Sequence, residues 1–172
     1  MGRQRSGENS KRRRRIILIG RTMCGKTTLC QRITERAIAY CKTQTLNIVD
    51  DFIVDTPGEY LERMSYRGAL AVASADVDVI ILVQDPMVDG SDFPPLYSSL
   101  FAGKPVVGIV TKIDLADAKA VERAKRYLSL AGAEEIFAVS AVSGEGLDDF
   151  IQAVCPKEGD VDEDRKTNSC YC

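Results

Sequence analysis

The segment Gly20-Arg21-Thr22-Met23-Cys24-Gly25-Lys26-Thr27 fits the spacing G-x-x-x-x-G-K-[ST]. Chemistry on a polyphosphate needs this set of residue types. The glycines let the chain wrap with its N–H groups turned inward on phosphate oxygens, and a following helix adds positive potential at its N-terminus. Lys26 is the candidate to reach the β- and γ-phosphates, and the Thr27 hydroxyl is a candidate Mg²⁺ ligand, with Thr28 counted in the same phosphate-binding set.

Three further groups carry chemistry only in combination with that loop. In Asp55-Thr56-Pro57-Gly58, an Asp at a strand end can hold Mg²⁺ through a water, and the Gly58 N–H can contact a γ-phosphate and report its loss. In Thr111-Lys112-Ile113-Asp114, the carboxylate can accept two N–H bonds from guanine, whose N1–H and 2-amino group are donors that adenine lacks, while Lys112 can lie along the base plane. Ser140-Ala141-Val142 suits a backbone loop touching guanine O6.

The elements needed to position these groups can be read from periodicity. Arg15–Gly20 is a continuous apolar run ending in Gly, the pattern of a parallel strand buried on both faces. Leu29, Ile33, Ala37 and Tyr40 recur at helical spacing after Gly25. Thr45–Val49 and Phe52–Asp55 read as short strands joined by a tight turn at Asp50-Asp51. A helical pattern over Glu59–Ala75, a strand over Val77–Asp85, a short helix around Pro95–Ala102 and a strand over Pro105–Val110 follow. Then come a helix over Ala116–Ala131 stopped by Gly132, a strand over Ile136–Val139, and a helix over Gly146–Cys155 stopped by Pro156. Alternating strands and helices predict an α/β fold: a mainly parallel sheet of five or six strands covered on both faces, with ligands at the C-terminal strand ends. Every motif above falls at such an end.

The expected organisation is a basic arm (1–13), one nucleotide-binding domain (14–156) and a polar tail (157–172), arm and tail both read as disordered. Seven basic residues against Glu8 give residues 1–15 a charge of +6, which leaves −8 for the rest. The arm could contact phosphate-rich partners, shell proteins or an acidic surface, but an isolated arm without aromatic residues for stacking is weak evidence for nucleic acid, which is not expected as a partner. No apolar run approaches the roughly 18 residues a bilayer crossing needs, and no signal-peptide pattern opens the chain, so a cytoplasmic location is expected. The six cysteines lack metal-site spacing and there is no His, which argues for reduced thiols over zinc or a disulfide framework. Cys170-Tyr171-Cys172 imitates a double-cysteine prenylation end, and lipidation is not expected there.

Taken in order, the four motifs resemble Ras-like and Era-like GTPases over roughly residues 14–154. A closer resemblance, to the EutP/PduV family of ethanolamine- and propanediol-utilisation proteins, rests on Tyr40-Cys-Lys-Thr43-Gln44, Asp55–Glu62, Val106–Leu115 and Ala131-Gly-Ala133. It implies a GTPase-like P-loop fold (three layers, α/β/α) and association with bacterial microcompartments. Against the GTPase pattern, Thr111 stands where Asn is usual, and this leaves the base site less braced. Thr43 is the candidate γ-phosphate-sensing hydroxyl and Mg²⁺ ligand, with Thr45 as the alternative. Asp55 lies only twelve positions after Thr43, a shorter span than in Ras-like proteins, which predicts a truncated second strand. Glu59 occupies the place of the water-orienting Gln, so slow hydrolysis is expected. Three functions remain open on one phosphate site: a Mg²⁺-dependent GTP/GDP switch or slow GTPase, an ATP-dependent acetate kinase, and a nucleotide-dependent scaffold.

Overall fold

Isoleucine and leucine fill the first strand, β1 (Ile16–Ile19), and all four residues are buried. Successive side chains on a strand point to opposite faces, so such a run is stable only when both faces are covered. The computed structural model describes residues 14–40, 53–58, 61 and 67–154. Within them the order is β1, α1 (Lys26–Tyr40), β2 (Ile53–Asp55), α2 (Arg67–Ala73), β3 (Val79–Gln84), β4 (Val106–Val110), α3 (Ala118–Ala131), β5 (Glu135–Ala138) and α4 (Leu147–Val154). The described strands form one parallel sheet in the order β2-β1-β3-β4-β5.

Each face of the sheet has its own core. Ile16 and Leu18 of β1 with Ile81 and Val83 of β3 pack under Leu29 and Ile33 of α1 and Leu147, Phe150, Ile151 and Val154 of α4. The alternate residues Ile17, Ile19, Ile80 and Leu82 pack under Leu70 of α2 and Ala124, Leu128 and Ala131 of α3. On that second face Phe93, Tyr97 and Phe101 form an aromatic ladder with ring centroids 5.4 and 5.6 Å apart. Gly108 lets α3 approach β4 closely: a Cβ there would stand 3.1 Å from Leu128. Asp117 caps α3 by accepting from the Ala120 N–H at 2.7 Å, and Gly132 ends the helix in the left-handed conformation at φ 95°.

Boundaries depart from the sequence expectation in small, physical ways. The helix predicted from Ala116 starts at Ala118, because the Asp117 side chain caps it by accepting from the Ala120 N–H of the first turn. The strand predicted over Ile136–Val139 lies one residue earlier, in register with β4 from Val107↔Glu135 onward. The short helix around Pro95–Ala102 is a 3-10 turn over Tyr97–Phe101. Of the helix expected over Glu59–Ala75, the described part is Leu61, α2 and a 3-10 turn at Ser74–Asp76. The Phe52–Asp55 strand is present as β2, paired parallel with β1, whereas Thr45–Val49 lies outside the described residues. So do Thr43, Glu59, the arm 1–13 and the tail 157–172.

Candidate functional site

The strand order reverses at β1. The chain moves from β1 to one neighbour, β2, and then to the other, β3, so the crevice for a ligand opens at the C-terminal end of β1. The Gly20–Thr27 loop fills that position. Gly20 is required by close approach, since a Cβ would sit 2.6 Å from the Val83 carbonyl oxygen and 2.7 Å from Cys24 Sγ. Met23 takes the left-handed conformation (φ 65°) with an exposed side chain, and Gly25 follows at φ 95°. The wrap is closed by Cys24 N–H donating to Arg21 O at 3.3 Å.

Lys26 opens α1 yet is buried. Its ammonium donates to the carbonyls of Gly20 at 2.7 Å and Arg21 at 2.8 Å, and lies 3.8 Å from Cys24 Sγ. The cation therefore spans the mouth of the loop whose amides would face an anion. Burial pushes the Cys24 thiol up, with Lys26 opposing the shift. Burial, with the Asp55 charge adding to it, raises Cys30 to about 12. Both thiols stay protonated at neutral pH.

The second motif meets the first directly. Thr27 Oγ1 lies 3.2 Å from Asp55 Oδ2. Thr56 donates its buried hydroxyl to Leu18 O at 2.6 Å, tying the turn after β2 to the end of β1. Gly58 rests on the phosphate loop so closely that a Cβ would stand 2.5 Å from Thr22 Cα and Thr22 Oγ1. Only glycine fits that contact.

The third motif braces the loop from the other side. Thr111 is buried and donates its hydroxyl to Cys24 O at 2.7 Å, with Gln84 O at 3.4 Å. This Thr, which stands where the GTPase pattern has Asn, is tied by its side chain to the phosphate loop. Lys112, in the left-handed conformation at φ 54°, donates to Met23 O at 2.8 Å and to Asp85 Oδ2 at 2.7 Å. Asp114, two residues on, is exposed, and among the described residues its carboxylate takes no hydrogen bond.

In the fourth motif nearly every amide is satisfied internally. Ser140 Oγ accepts from Val142 and Ser143 N–H at 3.2 and 3.1 Å, and Ser140 O accepts from Gly144 N–H at 2.9 Å. Ser140 N–H donates to Glu145 O at 3.0 Å, and Glu145 N–H donates to Ser143 Oγ at 3.3 Å. Across residues 140–145, only the Ala141 N–H has no acceptor among the described residues.

Sequence reasoning missed Gln84, Asp85 and Asp92. Gln84 is buried and binds Asp85 O, Gly90 O and the Asp92 N–H through its amide, shaping the loop after β3. Asp92 pairs with Arg21 of the phosphate loop at 3.4 Å. A signal was available: Gln84-Asp85-Pro86 places polar residues at the C-terminal end of a wholly apolar strand.

This sheet order, with a phosphate loop after β1 and three loops converging on it, defines a P-loop nucleoside-triphosphate-binding domain of the GTPase type. The solved structure of translation elongation factor SelB from Methanococcus maripaludis, in complex with the GTP analogue GppNHp, shares the fold at a TM-score of 0.59 and 20% identity. The match covers 83% of this chain and 33% of that one, so the chain spans about a third of SelB. Residues 13–155 match the PduV-EutP family, described as ethanolamine utilisation - propanediol utilisation, and the chain belongs to that family. It is 37% identical over 145 residues to the propanediol utilization protein PduV of Citrobacter freundii, covering 84% of this chain and 95% of the relative. It is 27% identical over 148 residues to the probable acetate kinase EutP of Escherichia coli K12, covering 84% and 93%.

Proposed function

We propose that the chain binds a guanine nucleoside triphosphate with Mg²⁺ and hydrolyses it slowly, as a cytoplasmic component serving a microcompartment for ethanolamine or 1,2-propanediol use. The observation that carries the guanine reading is the pair of ties from Thr111 and Lys112 to Cys24 O and Met23 O. They hold the Asp114 turn against the phosphate loop, with the open Ala141 N–H on the neighbouring strand end. An acceptor for two donors and a donor for one acceptor match the N1–H, 2-amino and O6 edge of guanine. Backbone amides of Arg21–Thr28 with Lys26 would hold the phosphates. Thr27 and Asp55 offer a hydroxyl and a carboxylate within 3.2 Å of each other, hard oxygen donors that suit Mg²⁺, with Thr43 proposed as a third. Bound there, Mg²⁺ would neutralise charge on the β- and γ-phosphate oxygens. Gly58 would report the γ-phosphate through its N–H, and Glu59, a poor partner for an anion, accounts for slow turnover. Shell proteins are the proposed partners of the basic arm.

A second reading, phosphoryl transfer to acetate from ATP, is favoured by the name of the EutP relatives. Calorimetric titration of GTP, GDP, ATP and ADP, followed by turnover with and without acetate, separates the two. The guanine reading expects GTP to bind about ten- to a hundredfold more tightly than ATP, or about 1.4–2.8 kcal/mol. It also expects Asp114→Asn to shift preference toward xanthine nucleotides, whose 2-oxo group accepts from the new amide. Equal binding of ATP and GTP, with acetate-dependent turnover, would establish the kinase reading instead.

A further inference from the structure

Helix α1 reaches the base-contacting loop with two arginines one turn apart. Arg32 Nε donates to Ala141 O at 2.9 Å, across 109 residues of sequence. Arg36 pairs with Asp148 at the start of α4, and its guanidinium lies where a Cβ on Gly144 would have to go. Neither residue belongs to a nucleotide-binding motif. Both are anchored on the helix that begins with Lys26 and Thr27.

The Ala141 carbonyl and the Val142 N–H belong to one peptide plane. Ser140 Oγ holds the N–H side of that plane at 3.2 Å, and Arg32 holds the carbonyl side. The preceding plane, joined to it at Ala141 Cα, carries the open Ala141 N–H and is tied on its own carbonyl side by Gly144 N–H donating to Ser140 O at 2.9 Å, so holding the Ala141 carbonyl narrows the remaining rotation at Ala141. We infer that Arg32 is a positioning residue for base recognition: its guanidinium, docked on Ala141 O, aims the Ala141 N–H at the 6-oxo group of a guanine nucleotide. This deepens the guanine reading and rests on it. A charge-assisted bond to a carbonyl is stronger than a neutral one, and it acts here without touching the ligand. Arg36 supports the same loop from one turn further along, at Gly144 and Asp148.

The test separates a directional role from general support. Arg32→Met keeps the stem and removes the donors, and Arg32→Lys keeps a cation that can reach a carbonyl. Affinities are measured by calorimetry for GTP and for 6-thioguanosine triphosphate, which keeps the N1–H and 2-amino donors but replaces O6 with sulfur, a weaker acceptor. Thermal melting of each variant checks folding. The expected result is a loss of roughly three- to tenfold for GTP in Arg32→Met, with less than about twofold change for the 6-thio analogue and partial recovery in Arg32→Lys. Equal losses for both ligands, or an unchanged GTP affinity, would overturn the inference while leaving the guanine reading intact. A wild-type protein that prefers ATP would remove the base site itself, and the inference with it.

Discussion

Lys26 is a charged side chain that the fold itself holds in place. Two carbonyls of its own loop hold the ammonium under the protein surface, so the cation is positioned before any phosphate arrives. Preorganisation of this kind lowers the ordering cost of binding. On the proposed function, Lys26→Ala removes the one cation that the motif would set against the β/γ-phosphates. Titration should show triphosphate affinity falling on the order of a hundredfold, about 2.8 kcal/mol, with a smaller loss for diphosphate. A variant that binds triphosphate as tightly as the parent would show the loop to be misplaced. The P-loop was legible as a residue pattern because its spacing is local. The role of Thr111 was not. Its hydroxyl meets Cys24 O across 87 residues of sequence, and no local pattern announces that contact.

At the scale of elements, helix α3 makes the contrast between core and surface measurable. Leu128 is fully buried against β4 at Gly108, whereas Leu130, two residues on, is 61% exposed. Two residues on a helix are separated by about 200°, so the two leucines face opposite sides. Leu128→Ala should cost about 2–5 kcal/mol in denaturant unfolding, from lost burial and the cavity left behind. Leu130→Ala should lie within about 0.5 kcal/mol of the parent. Similar costs for the two would contradict the packing of α3 on the sheet. The helix itself was readable from its periodicity and from Gly132. Its start was not, because the choice between Ala116 and Ala118 was made by the Asp117 side chain capping Ala120 N–H.

For the whole molecule, the described fold begins where the strand ladder does. Arg15 exchanges hydrogen bonds with Asp78, its N–H donating to Asp78 Oδ2 at 2.7 Å and its carbonyl accepting from Asp78 N–H at 2.7 Å. Removing residues 1–13 should therefore leave the melting temperature and nucleotide affinity unchanged. A drop of several degrees in the melting scan would show that the arm contributes to the folded domain. No helix among the described residues is long and apolar enough to cross a membrane.

The succession of strands and helices, and the motifs at four of the five strand ends, are written in local sequence. Those signals are periodicities of two and 3.6 residues, glycine at tight turns, and polar residues where apolar runs stop. All of them act within a few residues along the chain. The tertiary structure decided which strand ends meet. Stacking the strands in the order β2-β1-β3-β4-β5 brings the loops after β1 and β4 together, so that Thr111 and Lys112 close on Cys24 and Met23. It also carries Arg32 of α1 to Ala141 after β5, and Asp92 to Arg21. These contacts are fixed by the common parallel direction and spacing of the strands, which no single segment encodes. The sheet is their cause: once its two faces are buried, the polar loops have only one edge left to share.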